Sequence, residues 1–157
     1  MADALPNAPL RSFNFEVDIL PEGGAAALCG AAFAECDGME MSMDVKTIRQ
    51  GGDNGRQIRL TGPMTFGTLV LKRGMTKDFD LWRWVAGYAR TGDQRRRAEV
   101  TVVVKAPNGI DAEARFVLSR CVPLKLKAPA LHAKDGIIAI EELHLAYESL
   151  SLSEAAS

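Results

Sequence analysis

Residues Thr68–Gly92, TLVLKRGMTKDFDLWRWVAGYARTG, read as strand, turn, helix and stop, and they constrain everything around them. Leu69, Val70 and Leu71 form an apolar run suited to a strand, which Lys72, Arg73 and Gly74 end; glycine tolerates the positive φ that a turn requires. Thr76 stands where a helix N-cap is wanted, and Asp78 and Asp80 put negative charge at the positive helix end. Phe79, Trp82, Val85, Ala86 and Ala89 recur at three- and four-residue steps, and Leu81, Trp84 and Tyr88 widen the stripe. Arg90 and Gly92 are stop signals. This is the one strong helical period in the chain, and it carries both tryptophans. It predicts a helix that closes a β core, because apolar stripes of this kind pack against sheets more often than they form aromatic ligand boxes.

The other segments read as strands. Phe13, Phe15, Val17 and Ile19 alternate with polar residues, giving a half-buried strand. Pro21–Gly24 is a turn, and Ala25–Ala32 fits a strand or a packed loop equally well. From Phe33 the β signal is clearest: Met39, Met41, Met43 and Val45 take one side, and Glu40, Ser42, Asp44 and Lys46 the other. The methionine row is assigned to the core rather than to an adaptable binding surface. Arg49, Gln50, Gly51, Gly52, Asp53, Asn54 and Gly55 make a turn-rich loop, from which Ile58 and Leu60 return as a strand before Pro63. Val100–Val104 is apolar on both faces and ends at the Pro107-Asn108-Gly109 turn, after which Ala114, Phe116, Leu118 and Val122 bring a hairpin back. Pro123 breaks or bends that strand at an edge. Ile137, Ala139, Leu143, Leu145 and Tyr147 share one parity of a last strand, which Glu141 interrupts. A carboxylate on an apolar face is costly unless paired, so Glu141 is expected to be a buried or interface carboxylate with an Arg or Lys partner. The order predicts a mainly β fold, a barrel or sandwich of antiparallel strands with one packed α-helix. It fits one domain over residues 1–157, with a flexible arm over 1–11 and a polar tail over 151–157.

Composition narrows the function classes. The net charge is −1, so no global field draws the chain to nucleic acid or membrane. No apolar run reaches the length of a membrane span, and the start lacks the pattern of a secretory signal, so synthesis and folding in a cytoplasm are expected. Cys29, Cys36 and Cys121 lack the spacing of a zinc site or a disulfide framework and read as small buried apolar residues. The glycine-rich loop lacks the GxxxxGK[ST] pattern of a phosphate cradle. Arg95, Arg96 and Arg97 carry no interleaved aromatics and read as a solvated loop or half of a subunit contact. Glu142 and His144 are a thin metal hypothesis, and with Glu141 they form the only cluster to nominate for chemistry. No nucleophile elbow or metalloprotease motif is present, and the expectation is no enzyme and no cofactor or metal.

The pieces in order then resemble a known family. They are Phe13-x-Phe15-x-Val17, FAECDGMEMSMDV (Phe33–Val45), RQGGDNG (Arg49–Gly55), LTGP (Leu60–Pro63), TLVLKRGMT (Thr68–Thr76) with its tryptophan-bearing helix, and IAIEELHLAYESL (Ile138–Leu150). Together they resemble the T4-like tail tube proteins of contractile phages and the tube proteins of contractile injection systems. The resemblance implies a tail-tube or Hcp-like fold. It implies six-subunit rings that stack into a hollow inner tube inside a contracting sheath. Implied partners are further copies of the chain, the sheath protein, baseplate or spike proteins, tube-terminating proteins, and DNA or protein cargo. It implies assembly into a virion tail or an injection particle. Arg49–Gly55 would reach neighbouring subunits or the next ring. Glu40, Ser42, Asp44 and Lys46 are lumen candidates if their face lines a wet channel, and ordinary solvent-facing residues otherwise. Cys121-Val122-Pro123-Leu124-Lys125 lacks a tryptophan common in relatives, and Tyr147 and Ser149 stand where a histidine and a glycine are expected. A main tube subunit and a tube-initiating baseplate paralogue fit the pattern alike. A monomeric β barrel holding a ligand between the helix and the methionine face is the alternative from another class.

Overall fold

A computed structural model describes residues 9–24, 26–28, 33–52, 54–91 and 96–154. The strands are β1 (Phe15–Pro21), β2 (Glu35–Asp37), β3 (Met41–Arg49), β4 (Gln57–Phe66) and β5 (Thr68–Gly74). After helix α1 (Asp80–Thr91) come β6 (Ala98–Lys105), β7 (Ala112–Lys127), β8 (Ile140–Ala146) and β9 (Ser149–Glu154). All pairings are antiparallel, in agreement with the mainly β reading. The Ala106–Asp111 turn shows how local chemistry sets the register: Gly109 adopts φ 72°, and Asn108 Oδ1 accepts from the Ile110 and Asp111 amides.

Strand β7 organises the body. Its first part pairs with β6 on one side and β9 on the other, and its last part pairs with β8, which continues to β5 and β2. At the change-over the register shifts and Arg120 takes φ 53°, a left-handed conformation that bends the strand. Arg120 is held there by Glu148, 2.8 Å from its Nε, and Glu148 also pairs with Arg97. Two sheets sharing one strand thus bring their apolar rungs into a common core. In the first, Ile19, Val100, Leu118 and Leu150 lie side by side; in the second, Leu126, Leu143, Leu71 and Cys36 do. Each large aliphatic side chain buried here contributes about 1.5–3 kcal/mol. Pro123, which has no N–H to give, sits where β7 is bonded to β8 alone.

The helix covers this core with a different stripe from the expected one. Leu81 and Trp84 are buried, Val85 and Tyr88 pack beside them, and Phe79, Ala86 and Ala89 are exposed. The indole N–H of Trp84 donates to the Arg96 carbonyl at 3.1 Å, a bond also made by the Tyr88 hydroxyl, and this ties the end of the helix to the start of β6. The helix begins at Asp80, later than the capping pattern suggested, because Thr76 and Asp78 cap successive turns before it: Thr76 Oγ1 accepts from the Asp78 amide and Asp78 Oδ1 from the Asp80 amide, each at 3.2 Å.

Two further expectations change. β5 runs on through Lys72 and Arg73 to Gly74 instead of ending before them. Ser151–Glu154 of the stretch read as a tail belong to β9, whose leucines continue the first sheet's apolar rungs. Cys121 is buried and Cys36 half-buried, whereas Cys29 lies outside the described residues.

Candidate functional site

β3 and β4 form a two-stranded sheet of their own, and every residue of β3 is exposed. Met41, Met43 and Val45, expected in the core, are 56, 44 and 51% exposed. The reason is topological: among the described residues β3 pairs only with β4, and the exposure of every β3 residue shows that none of them covers either face. Met39, just before the strand, does pack against the core. The alternation itself is real, with Ser42, Asp44 and Lys46 opposite the methionines, and Glu40 stands exposed at the base.

A bulge then divides the hairpin. Met43 faces Met64 and Val45 faces Thr61, so two steps along β3 span three along β4, the extra residue falling at Gly62-Pro63. A Cβ on Gly62 would lie 2.8 Å from the Asp44 carbonyl oxygen. Below the bulge the apolar face carries Met41, Met43, Met64 and Phe66. Above it that face becomes polar, with Thr47 opposite Arg59 and Arg49 opposite Gln57. The apolar residues cross to the other side, where Ile48 faces Ile58 and Lys46 faces Leu60. The hairpin is therefore amphipathic twice, in opposite senses. Arg49, Gln50, Gly51, Gly52, Asn54 and Gly55 sit at its exposed tip, Gly52 with φ 95°, and Asp53 lies outside the described residues.

At its base the hairpin follows on from β2 and β5, but the ladder is interrupted where Gly38 takes φ 89° and kinks the backbone locally. The Tyr147 hydroxyl fills the kink, donating to the carbonyl of Gly38 at 2.8 Å or of Glu40 at 3.0 Å and accepting the Glu40 amide at 3.0 Å. Its ring packs on Phe66 at 5.7 Å.

Glu141 lies in the body, 2% exposed, and pairs with Arg73, 1% exposed, its neighbour across β5 and β8. Trp82 Nε1–H donates to the other carboxylate oxygen at 2.9 Å, and the Arg73 guanidinium lies 5.7 Å from the Phe33 ring centre. The pair was half-visible in the sequence. Leu69, Leu71 and Arg73 share one parity, just as Glu141, Leu143 and Leu145 do, so the same rule locates both partners.

On the outer face of the second sheet, Lys127, Glu142, Lys72 and Glu35 alternate in sign along one rung. Glu142 also binds His144 Nε2. That hydrogen bond, helped by His144, Lys72 and Lys127 charge, holds the Glu142 carboxyl below its ordinary value of 4.5 against a smaller effect of desolvation. These residues belong to an ionic lattice, and among the described residues no group of three or more His, Cys, Asp or Glu is placed to hold a metal ion. A groove of about 670 Å³ lies beside the rung, under the loop bearing Leu131, Ile137 and Ile138. Met41, Met43 and Val45 line none of the described grooves, so the cavity expected between helix and methionine face is not where the structure opens. Arg96 and Arg97 are engaged at the helix end and with Glu148, and Arg95 lies outside the described residues.

A mainly β body with one helix and a long exposed hairpin now meets an independent observation. Residues 11–151 match the family model described as T4-like virus tail tube protein gp19. The chain belongs to the T4-like tail tube protein family. Solved structures agree on the fold. This tail tube family member superposes with TM-score 0.83 and 23% identity on a chain of the anti-feeding prophage (AFP) baseplate, covering 94% of this chain and 97% of that one. It superposes with TM-score 0.78 and 18% identity on a chain of the extracellular contractile injection system PVC sheath-tube complex in its extended state, over 96% and 95%. A chain of the AFP tube terminating cap gives 0.79 and 18% over 99% and 100%. No curated protein matches the sequence. Sequence reasoning missed two features of this tail tube chain, the reversal of apolar faces at the bulge and the Tyr147 bridge. The first left a trace in Gly62-Pro63 inside a strand; the second left none, because it joins residues 107 positions apart.

Proposed function

We propose that the chain is a structural subunit of the inner tube of a contractile phage tail or injection system, six copies closing a ring and rings stacking around a hollow lumen. One observation carries this reading: the hairpin exposes Met41, Met43 and Met64 on one face and Ile48, Ile58 and Leu60 on the other. A two-stranded ribbon is marginal alone, and contiguous exposed apolar surface marks a contact site. Two patches on opposite faces call for two neighbours, which a ring stacked on a ring supplies. In this reading the tip Arg49–Gly55 reaches the next ring, and Glu40, Ser42, Asp44 and Lys46 are the lumen-lining residues. The role is mechanical and non-enzymatic. The neighbours are further copies, the sheath protein, and baseplate and tube-terminating proteins, and the cargo is DNA or protein. The particle is a phage tail or an extracellular injection particle; the AFP baseplate and PVC sheath-tube likenesses support that setting.

Negative-stain electron microscopy beside light scattering tests it. Six-fold rings or hollow tubes are the expected result. A particle of 17.0 kDa at every concentration, left out of particles when co-expressed with sheath and baseplate proteins, would overturn the reading.

A further inference from the structure

We infer that Tyr147 sets the direction of the β3–β4 hairpin, and that its hydroxyl rather than its ring makes the chain competent to assemble; the assembly half rests on the tube reading above. The argument begins with register. Asp37 faces Val70 in the body and Met41 faces Phe66 in the hairpin. Four steps along one strand therefore match four along the other, and nothing has slipped. Yet the ladder stops between these pairs. Of the backbone bonds that would close the gap, the Gly67 amide to the Glu40 carbonyl at 3.1 Å is made. The ribbon is thus in register, and Gly38, at φ 89°, turns the backbone out of the extended path between its two parts.

The bend has space for no side chain. Gly38 has φ 89°, and a Cβ there would lie 1.8 Å from the Thr68 carbonyl oxygen; one on Gly67 would lie 2.5 Å from Glu40 Cγ. The polar groups freed by the bend are met by one atom. A phenol oxygen has one proton and two lone pairs. It accepts the Glu40 amide and gives its proton to Gly38 or Glu40, whose carbonyls lie 2.8 and 3.0 Å away. Tyr147 is fixed to the body: it follows β8 directly, and its ring is 6% exposed within the core cluster. A group anchored in the body that bonds to both sides of a bend in the arm holds the angle between them. Removing the hydroxyl keeps the packing and frees the angle.

The test separates the two halves. Dyes are placed on Gln50→Cys at the tip and Glu113→Cys on β7, with Cys29→Ser. Burial pushes the Cys36 thiol up to about 11 and the Cys121 thiol up to about 12, which slows labelling of both at pH 7, and the Cys29→Ser chain without the two introduced cysteines measures what label they still take. Single-molecule energy transfer, at dilution where no oligomer survives, is expected to give one narrow peak for this parent and a broad or displaced one for Tyr147→Phe. The unlabelled Tyr147→Phe chain is expected to form rings or tubes about two- to tenfold less well than the unmodified chain, the loss of a single hydrogen bond's free energy. Identical peaks would overturn the positioning role. A changed peak with undiminished assembly would overturn the link to assembly. A changed peak where even the unmodified chain stays monomeric would uphold the positioning and fail the tube reading instead. The unmodified protein supplies a check that needs no variant: the Glu40 amide should exchange with solvent at least about tenfold more slowly than an unbonded amide, and unprotected exchange would overturn the proposal.

Discussion

At the scale of single residues the decisive contact is Arg73 with Glu141. Two charges buried at 1 and 2% exposure are tolerable because they meet each other, because Trp82 satisfies the second carboxylate oxygen and because Arg73 also donates to the Asp78 carbonyl at 3.4 Å. Removing Glu141 takes away the one opposite charge that the Arg73 ion pair places in the core, and the Asp78 carbonyl, 3.4 Å from Arg73, carries only a dipole in its place. Glu141→Ala should lower unfolding stability by about 3–5 kcal/mol in a denaturant titration, whereas Arg73→Met with Glu141→Leu should recover most of that loss. Glu142, one position on, behaves differently because it faces outward. Its folded carboxyl is depressed, chiefly by the hydrogen bond with His144. The stability this adds is therefore present above the unfolded value of 4.5 and lost as the pH falls through the lower folded value. The stability difference between the unmodified chain and Glu142→Gln should shrink as the pH falls below about 4.5, measured by denaturant midpoints across pH.

At the scale of elements the body and the hairpin follow different rules. Leu118 is fully buried in the core, and Leu118→Ala should cost about 2–5 kcal/mol. Met43→Ser and Ile58→Ser change exposed positions and should move the stability of the lone chain by less than about 0.5 kcal/mol while abolishing ring formation. Deleting residues 49–55 should likewise leave the body folded, with a melting curve close to the parent's, and block stacking. The same division decides what the sequence could tell. Strand alternation was legible wherever one face meets this chain's own core, as in β1, β7 and β8. It was legible in β3 too, but the inference from apolar to buried failed there because, among the described residues, β3 pairs with β4 alone and both faces stay exposed. The helix was legible in place and type. Its buried stripe was not, because Trp82 and Trp84 offer similar apolar area and only the position of Glu141 and of the Arg96 carbonyl decides which indole turns inward. β9 went unread because Ser149, Ser151 and Ser153 dilute its two leucines below the level of a strand signal.

At the scale of the whole molecule, strand β7 joins the two sheets, and the left-handed Arg120 marks the join. A non-glycine residue in that conformation costs about 1–2 kcal/mol, and the Glu148 contact offsets part of it. Arg120→Gly trades one for the other and should leave stability within about 1 kcal/mol of the parent, while Arg120→Val, branched at Cβ and without the ion pair, should lose more than about 1 kcal/mol by thermal melting. The shared strand also bears on how the molecule meets a load. Two sheets held face to face by side chains alone can slide past each other under a push. Here a single covalent backbone crosses from one to the other, so in the tube proposed above an axial thrust would pass through peptide bonds at the crossing as well as through the β6, β8 and β9 ladders that β7 carries. A subunit made in this way transmits a blow as a solid piece.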